Sequence, residues 1–397
     1  MKTLFKNYRI NLVIKIICKR EMISLLIKEN EYNKLLNDHE EYFPSIGTRK
    51  QIKVEANLIR KNQFGNTVTV SRNYFVPLIK YCRNNCLYCG FSRKSSNTNL
   101  EIFDNNEMII TPSTYKNQLK QAKLADCREI LLVLGDRPEE ISEKTRSFLE
   151  HNGFDNAIEY TKWACDVAIE MGLLPHVNVG VISKSEWEYL QPSIASAGLM
   201  LETTSGRLTS KGQAHQSSPD KIPSERIKSI KAALELDIPF TSGILVNIGE
   251  SNEERLHTLE ILSEFSNEFL SLQELIIQGF HPLPNTPWRD KAPTDGNLIL
   301  DTISACRILT NSRISIQFPP NLGSFETIHG ILHGANDLGG VSPLSIDYVN
   351  YTSSWPHLDK LKKDLKEHDI ELVERGPVYK EFVKFSPLTD DGLTICR

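Results

Sequence analysis

A chain of 397 residues, 40% hydrophobic and 24% charged, is long enough to bury one large core or two ordinary ones. Its formal charge of −4 supplies no attraction toward nucleic acid or an anionic membrane, so neither is expected as a partner. Nothing reaches the roughly 18 consecutive apolar residues of a membrane span.

At the start, Lys2, Lys6 and Arg9 precede an apolar stretch over residues 10–18, as in a signal peptide. Asn11 and Lys15 interrupt that stretch and no small-residue cleavage site follows, so the cytoplasm is the expected location. Residues 1–67, rich in Lys, Glu and Asn, read as an amino-terminal extension with a helical stretch near 21–36. From Tyr74 the pattern changes. Short apolar runs at 75–79, 130–134, 173–177, 199–201, 240–246, 272–277 and 314–318 alternate with helix-like segments at 114–125, 157–171, 184–195, 224–236, 253–265 and 298–309. In 253–265, Leu256, Leu259, Ile261, Leu262 and Phe265 fall near one helical face. Six repeats, with a seventh and eighth from Ile314 onward, predict an α/β fold with a parallel sheet. No Gly-x-Gly-x-x-Gly follows an early strand, which favours a closed TIM-type (β/α) barrel of eight strands over an open doubly wound sheet. Residues 68–397 form that unit. Cys82, Gly135-Asp136, Glu202 and Glu250 then follow strands one, two, four and five, at the barrel end where such folds carry their chemistry.

Eight cysteines are too few for a disulfide framework in a chain this long, and Cys18, Cys127, Cys165, Cys306 and Cys396 have no partner at motif spacing. Cys127 and Cys165 lie in segments that read as buried, where cysteine acts as a small hydrophobe. The others stand together in Cys82-Arg-Asn-Asn-Cys86-Leu-Tyr-Cys89. At this cysteine frequency a given cysteine has others at +4 and +7 by chance about once in 2,500 trials. Three thiolates on a short loop can ligate three irons of a 4Fe-4S cubane and leave the fourth open. The amino and carboxylate groups of S-adenosyl-L-methionine can chelate that iron, which sets the sulfonium beside the cluster for cleavage to a 5′-deoxyadenosyl radical. The competing readings are a zinc site, which needs a fourth ligand from elsewhere, and a ferredoxin, which would cluster four cysteines in a shorter chain.

The spacing, with the aromatic Tyr88 before the third cysteine, resembles the radical S-adenosylmethionine superfamily. Within it, Ser71-Arg-Asn-Tyr-Phe-Val-Pro-Leu, Leu134-Gly-Asp-Arg-Pro-Glu139, Gly198-Leu-Met-Leu-Glu-Thr203, Ile238-Pro-Phe-Thr-Ser-Gly-Ile-Leu245 and Asn336-Asp-Leu-Gly-Gly-Val-Ser-Pro343 resemble the CofG-type subunit of 7,8-didemethyl-8-hydroxy-5-deazariboflavin synthase, over about residues 68–385. The resemblance implies radical cyclisation of a tyrosine-derived hydroxybenzyl adduct of a ribityl-aminouracil, with loss of ammonia, in coenzyme F-420 or deazaflavin chromophore synthesis. It also implies a CofH-type partner that supplies the adduct, and a reductant such as ferredoxin or flavodoxin. The CofH type itself, and the futalosine enzymes of menaquinone synthesis, share the cysteine motif and are the nearest alternatives. A non-catalytic iron-sulfur or zinc scaffold is a remote one.

By the same resemblance, Gly135 and Asp136 meet the methionine amino group, with Asp136 where the superfamily has Glu. Glu202 accepts from the ribose hydroxyls, and Gly243 to Glu250 form the element beside the adenine. Asn247 stands where the family has Gly, Gly279 where it has Asn, and the loop His281-Pro-Leu-Pro-Asn-Thr-Pro lacks a Lys. His215, on a loop over the barrel mouth, is a candidate for handling a substrate proton, since His titrates near neutrality. Arg207 and Arg226 are candidates for the methionine carboxylate. Asn336, Asp337 and Asp347 are candidates for contacts with the polar substrate.

Overall fold

Eight parallel strands close on themselves in the computed structural model, which describes residues 41–43, 47–91, 108–310, 313–322 and 325–396. They are β1 (Thr67–Ile79), β2 (Glu129–Leu134), β3 (Leu174–Asn178), β4 (Ser196–Gly198), β5 (Phe240–Val246), β6 (Leu272–Gly279), β7 (Ser315–Gln317) and β8 (Asp337–Val341). Each pairs with the next in sequence, and β8 returns to β1 through Asp337 opposite Thr69 and Val341 opposite Arg72. The expected barrel is therefore the observed one. Helix α1 (Arg49–Phe64) precedes β1, and the crossovers are helical: α2 (Pro112–Leu124), α3 (Pro138–Ile141), α4 (Glu143–His151), α5 (Ala157–Glu170), α6 (Lys184–Leu190), α7 (Pro223–Glu235), α8 (Asn252–Glu268), α9 (Gly296–Leu309) and α10 (Thr327–Leu332), with α11 (Leu358–Lys366) after the barrel.

Local chemistry starts the helices where the sequence supplies side-chain acceptors. Thr111, Asn156 and Asp295 each accept a first-turn amide, and Ser183 with Glu186 and Ser251 with Glu254 form reciprocal capping boxes. Each such cap stabilises its helix by about 1 kcal/mol. The apolar faces, with Leu119, Tyr160, Trp187, Ile230, Leu259 and Ile303, bury against the outward residues of the strands in one continuous core.

β1 has 13 residues and serves two neighbours along one edge. Its second half, from Asn73 to Ile79, pairs with β2. Its first half, Thr67 to Ser71, pairs with β9 (Glu371–Arg375), a strand added beneath the barrel by the carboxy-terminal segment. β9 delivers Arg375 to the barrel floor. There the guanidinium meets Asp337 at 2.6 Å and Glu274 at 2.8 Å, while Tyr379 and Thr241 donate to Glu274 at 2.6 and 2.9 Å.

Several elements depart from the pattern read in sequence. The fourth strand is Ser196–Gly198, and the apolar run 199–201 comes just after it, buried because it lines the upper core. Of the candidates for substrate contact, Asn336 immediately precedes the eighth strand and Asp337 begins it. β9 and the helices α3 and α4 had no sequence expectation. Helix α1, inside the expected extension 1–67, belongs to the outer helical layer. Ile52 and Ala56 are fully buried, and Arg49 is paired with Asp301 at 2.7 Å. The helical stretch expected near 21–36 lies outside the described residues.

Candidate active site

At the carboxyl ends of the strands lies a cavity of about 460 Å³. Cys82, Cys86 and Cys89, on the loop after β1, line one wall together with Gly135, Asp136, Tyr88 and Glu202. The loop is fastened to the end of β2 through the backbone. Gly135 donates to Ile79 O at 2.9 Å, Arg83 donates to Asp136 O at 2.9 Å, and the Asp136 amide donates to Cys82 Sγ at 3.2 Å. A Cβ on Gly135 would overlap the Tyr81 carbonyl and lie 2.7 Å from Cys82 Cβ, so only glycine permits this approach. The Asp136 carboxylate accepts from Val181 N and Asn84 Nδ2, both at 2.7 Å. Burial, and then Asp220, raise its pKa above the ordinary range. On the far side, Ser218 Oγ accepts from Asn85 N at 2.9 Å and lies 3.6 Å from Cys86 Sγ.

All three thiols are free. Burial pushes Cys82 up to about 12 and Cys86 up to about 11, so neither ionises near neutrality without a cation beside it. Iron supplies such a cation, and the Asp136 N–H aimed at Cys82 Sγ suits a metal-bound thiolate. Among the described residues no three His, Cys, Asp or Glu side chains converge on a point that one ion would fill. A cubane presents its irons at separate corners, so its three thiolates stand apart. The donor set fits such a cluster.

Glu202 lines the same wall, with a left-handed φ of 65°, and accepts from Lys221 Nζ at 2.6 Å. Burial opposes its ionisation, but Lys221 and Arg226 outweigh burial and hold the carboxyl below its usual range. Arg226 also lines the cavity and donates to Met200 O at 2.6 Å and Asp220 O at 3.0 Å. Tyr88 holds its hydroxyl 3.0 Å from His215 Nε2. His215 itself stands behind Tyr88, outside the cavity lining. Burial, then Lys221, depress its pKa to about 3, so the ring is neutral at physiological pH.

Other candidates are occupied elsewhere. Glu250 accepts from Asn247 N at 2.7 Å and Ile248 N at 2.8 Å and pairs with buried Arg255 at 2.8 Å; it fastens the turn after β5 and does not line the cavity. Asn247 adopts φ 70° in that turn with its side chain exposed, so the glycine usual there relieves a backbone conformation that Asn also tolerates. Gly243 abuts the backbone of Ile276 on β6, where a Cβ would lie 2.8 Å from its amide nitrogen. Arg207 pairs with Glu254 at 2.8 Å. Asn336 accepts from Arg307 at 2.6 Å, and Asp337 is committed to Arg375. Of the three polar substrate candidates only Asp347 lines the cavity, where its carboxylate accepts from the amides of Val349 and Asn350, each at 2.9 Å.

Gly279 and the His281 loop, singled out in sequence, also line the cavity, but most of the remaining lining was missed. Asn73, His176, Thr241, Gln278 and Gln317 project from strands, and Phe75, Phe91 and Val133 form an apolar patch. The available signal was a polar residue inside an apolar strand run, as in Ile276-Ile-Gln278 and Ile316-Gln317-Phe318.

No protein-family model matches the chain. It is 40% identical to 7,8-didemethyl-8-hydroxy-5-deazariboflavin synthase of Methanococcoides burtonii over 317 residues, covering 80% of this chain and 91% of that protein. The chain belongs to the 7,8-didemethyl-8-hydroxy-5-deazariboflavin synthase family. The synthase of Methanopyrus kandleri is 39% identical, with 80% and 93% covered. FO synthase of Streptomyces avermitilis is 38% identical over 80% of this chain but only 37% of its own length, so there the synthase unit is one part of a larger protein. Among solved structures, the [FeFe]-hydrogenase maturase HydG superposes with a TM-score of 0.67 at 14% identity, covering 92% of this chain and 79% of that one. Methylornithine synthase (PylB) superposes at 0.62 and 17%, with 87% and 94% covered. These two share the fold. The resemblance to the radical S-adenosylmethionine superfamily, and within it to this synthase family, is borne out.

Proposed function

We propose that the chain closes the deazaflavin ring. It converts 5-amino-5-(4-hydroxybenzyl)-6-(D-ribitylimino)uracil to 7,8-didemethyl-8-hydroxy-5-deazariboflavin with release of ammonia, in coenzyme F-420 or deazaflavin chromophore synthesis. The observation that carries this reading is the juxtaposition, in a member of this synthase family, of three cysteines with a mainly apolar cavity that also presents several carboxamides.

A 4Fe-4S cluster and S-adenosyl-L-methionine, when bound, supply the one-electron, hydrogen-abstracting chemistry. Cys82, Cys86 and Cys89 would hold the cluster, and the Asp136 N–H would stabilise the Cys82 thiolate. Gly135 lets the loop lie against β2. Glu202, kept ionised by Lys221, would offer its second oxygen to the ribose hydroxyls, and Arg226 would supply a positive charge for the methionine carboxylate. Tyr88, braced by neutral His215, closes the wall against water. Gly243 and Glu250 act from behind that wall by fixing the β5 turn. The adduct arrives from a CofH-type partner, the electron from a ferredoxin or flavodoxin, and the setting is the cytoplasm.

The test is anaerobic reconstitution with iron and sulfide, followed by dithionite, S-adenosylmethionine and the adduct. Expected are 5′-deoxyadenosine and blue-green fluorescence together, both absent in Cys86→Ala. Deoxyadenosine with no fluorescent product overturns the substrate assignment, and neither product from protein with a full cluster overturns the reaction class.

A further inference from the structure

We infer that Asn73 and Gln317 form a carboxamide floor that reads the imide edge of the substrate's pyrimidine ring. Asn73 lies on β1, 2% exposed, and lines the cavity. Its Oδ1 meets no hydrogen-bonding partner. An unpaired buried carboxamide oxygen costs about 1–3 kcal/mol, a cost that a ligand N–H relieves. Gln317, on β7, lines the same floor.

Two consecutive glycines of β8 make room for these amides. A Cβ on Gly340 would overlap Asn73 Nδ2 and lie 2.7 Å from its Cγ. A Cβ on Gly339 would overlap the Gln317 carboxamide, with Oε1 at 2.9 Å. Gly339 has φ 71°, and the β8–β1 register shifts between Asp337 and Gly340, so a bulge shapes the strand here. Beside Asn73, two residues on along the same strand, lies Phe75, packed with Phe91 and Val133. A ligand suited to both halves carries an aromatic ring on one side and a flat heterocycle with alternating carbonyl, N–H and carbonyl on the other. The two carboxamides supply donors for the carbonyls, and a turn of the Asn73 carboxamide about its last bond brings Oδ1 to the ring N–H. This assignment rests on the proposed cyclisation and names the groups that select its substrate.

The test measures equilibrium binding of the fluorescent deazaflavin to the reconstituted enzyme, beside an analogue methylated on the ring imide nitrogen. Wild type is expected to bind the methylated compound about tenfold more weakly, the loss of one hydrogen bond with its buried acceptor left unpaired. In Asn73→Ala, which removes the acceptor and leaves room for the methyl group, the two ligands bind alike. Gln317→Met weakens both by about tenfold. The melting temperature of each variant reports its folding, and the ligand comparison on wild type needs no variant. Equal binding of the two ligands by wild type overturns the floor even where the adduct is converted. Imide-dependent binding without conversion of the adduct keeps the floor and overturns the cyclisation.

Discussion

Cys82 meets the end of β2 through backbone atoms, and that makes Gly135 the most sensitive residue of the cysteine wall. Gly135→Ala forces the Tyr81 carbonyl outward, an overpacking that costs about 1–3 kcal/mol. The barrel is expected to survive while iron per chain falls sharply after reconstitution, measured beside the melting temperature. Full iron content in a stable variant would show that the loop tolerates the displacement. Glu250 behaves differently. Glu250→Ala strands Arg255, whose side chain is 4% exposed, and removes the acceptor of two turn amides. Loss of about 3 kcal/mol in chemical denaturation is expected. At this scale the sequence was most readable where chemistry needs a fixed spacing, as in the cysteine loop. It was least readable where a polar side chain points into a cavity from inside a strand, because a single polar residue in an apolar run, such as Gln317, does not say which face of the strand meets the cavity.

Strands and helices were legible wherever their apolar faces bury against one another. β5 was read at the bounds it has in the structure, 240–246, and α5, α7 and α9 start and stop within two residues of expectation. β8 was not read as a strand because its inner face is built from Asp337 and two glycines, with an ion pair to β9 replacing apolar packing. That floor holds one guanidinium and two carboxyls. Burial, with Asp337 adding to it against Arg375, pushes the Glu274 carboxyl up to about 7. Its unfolded value lies near 4.5, so between these pH values the folded protein keeps a proton that the unfolded chain has lost. The stability that this group contributes below pH 4.5 therefore fades as pH rises toward 7. The stability difference between wild type and Glu274→Gln should fall across that window and level off above it, as read by urea denaturation at several pH values. A flat difference would place the proton on another member of the cluster. Arg375→Leu leaves both carboxyls without their cation and should cost about 3–5 kcal/mol by the same measurement.

For the molecule as a whole, closure depends on the two ends of the chain. Thr67 to Ser71 of β1 lies between β8 on one edge and β9 on the other. Ending the chain after Val341 keeps all eight barrel strands but bares the β9 edge and removes the cation above Asp337 and Glu274. Such a truncation is expected to aggregate, visible as light scattering and loss of the monodisperse species in gel filtration. A well-behaved truncated protein would show that β9 is dispensable. The same feature has a cost in time. Thr69 and Asp337 are 268 positions apart, and β9 comes later still. At about 5–20 residues per second, a ribosome leaves strand one without these partners for tens of seconds. During that interval the cysteine loop is already outside the exit tunnel while the wall that will shield it is still being translated. Until the chain is complete, the cysteine loop therefore stands on a barrel that has not yet closed.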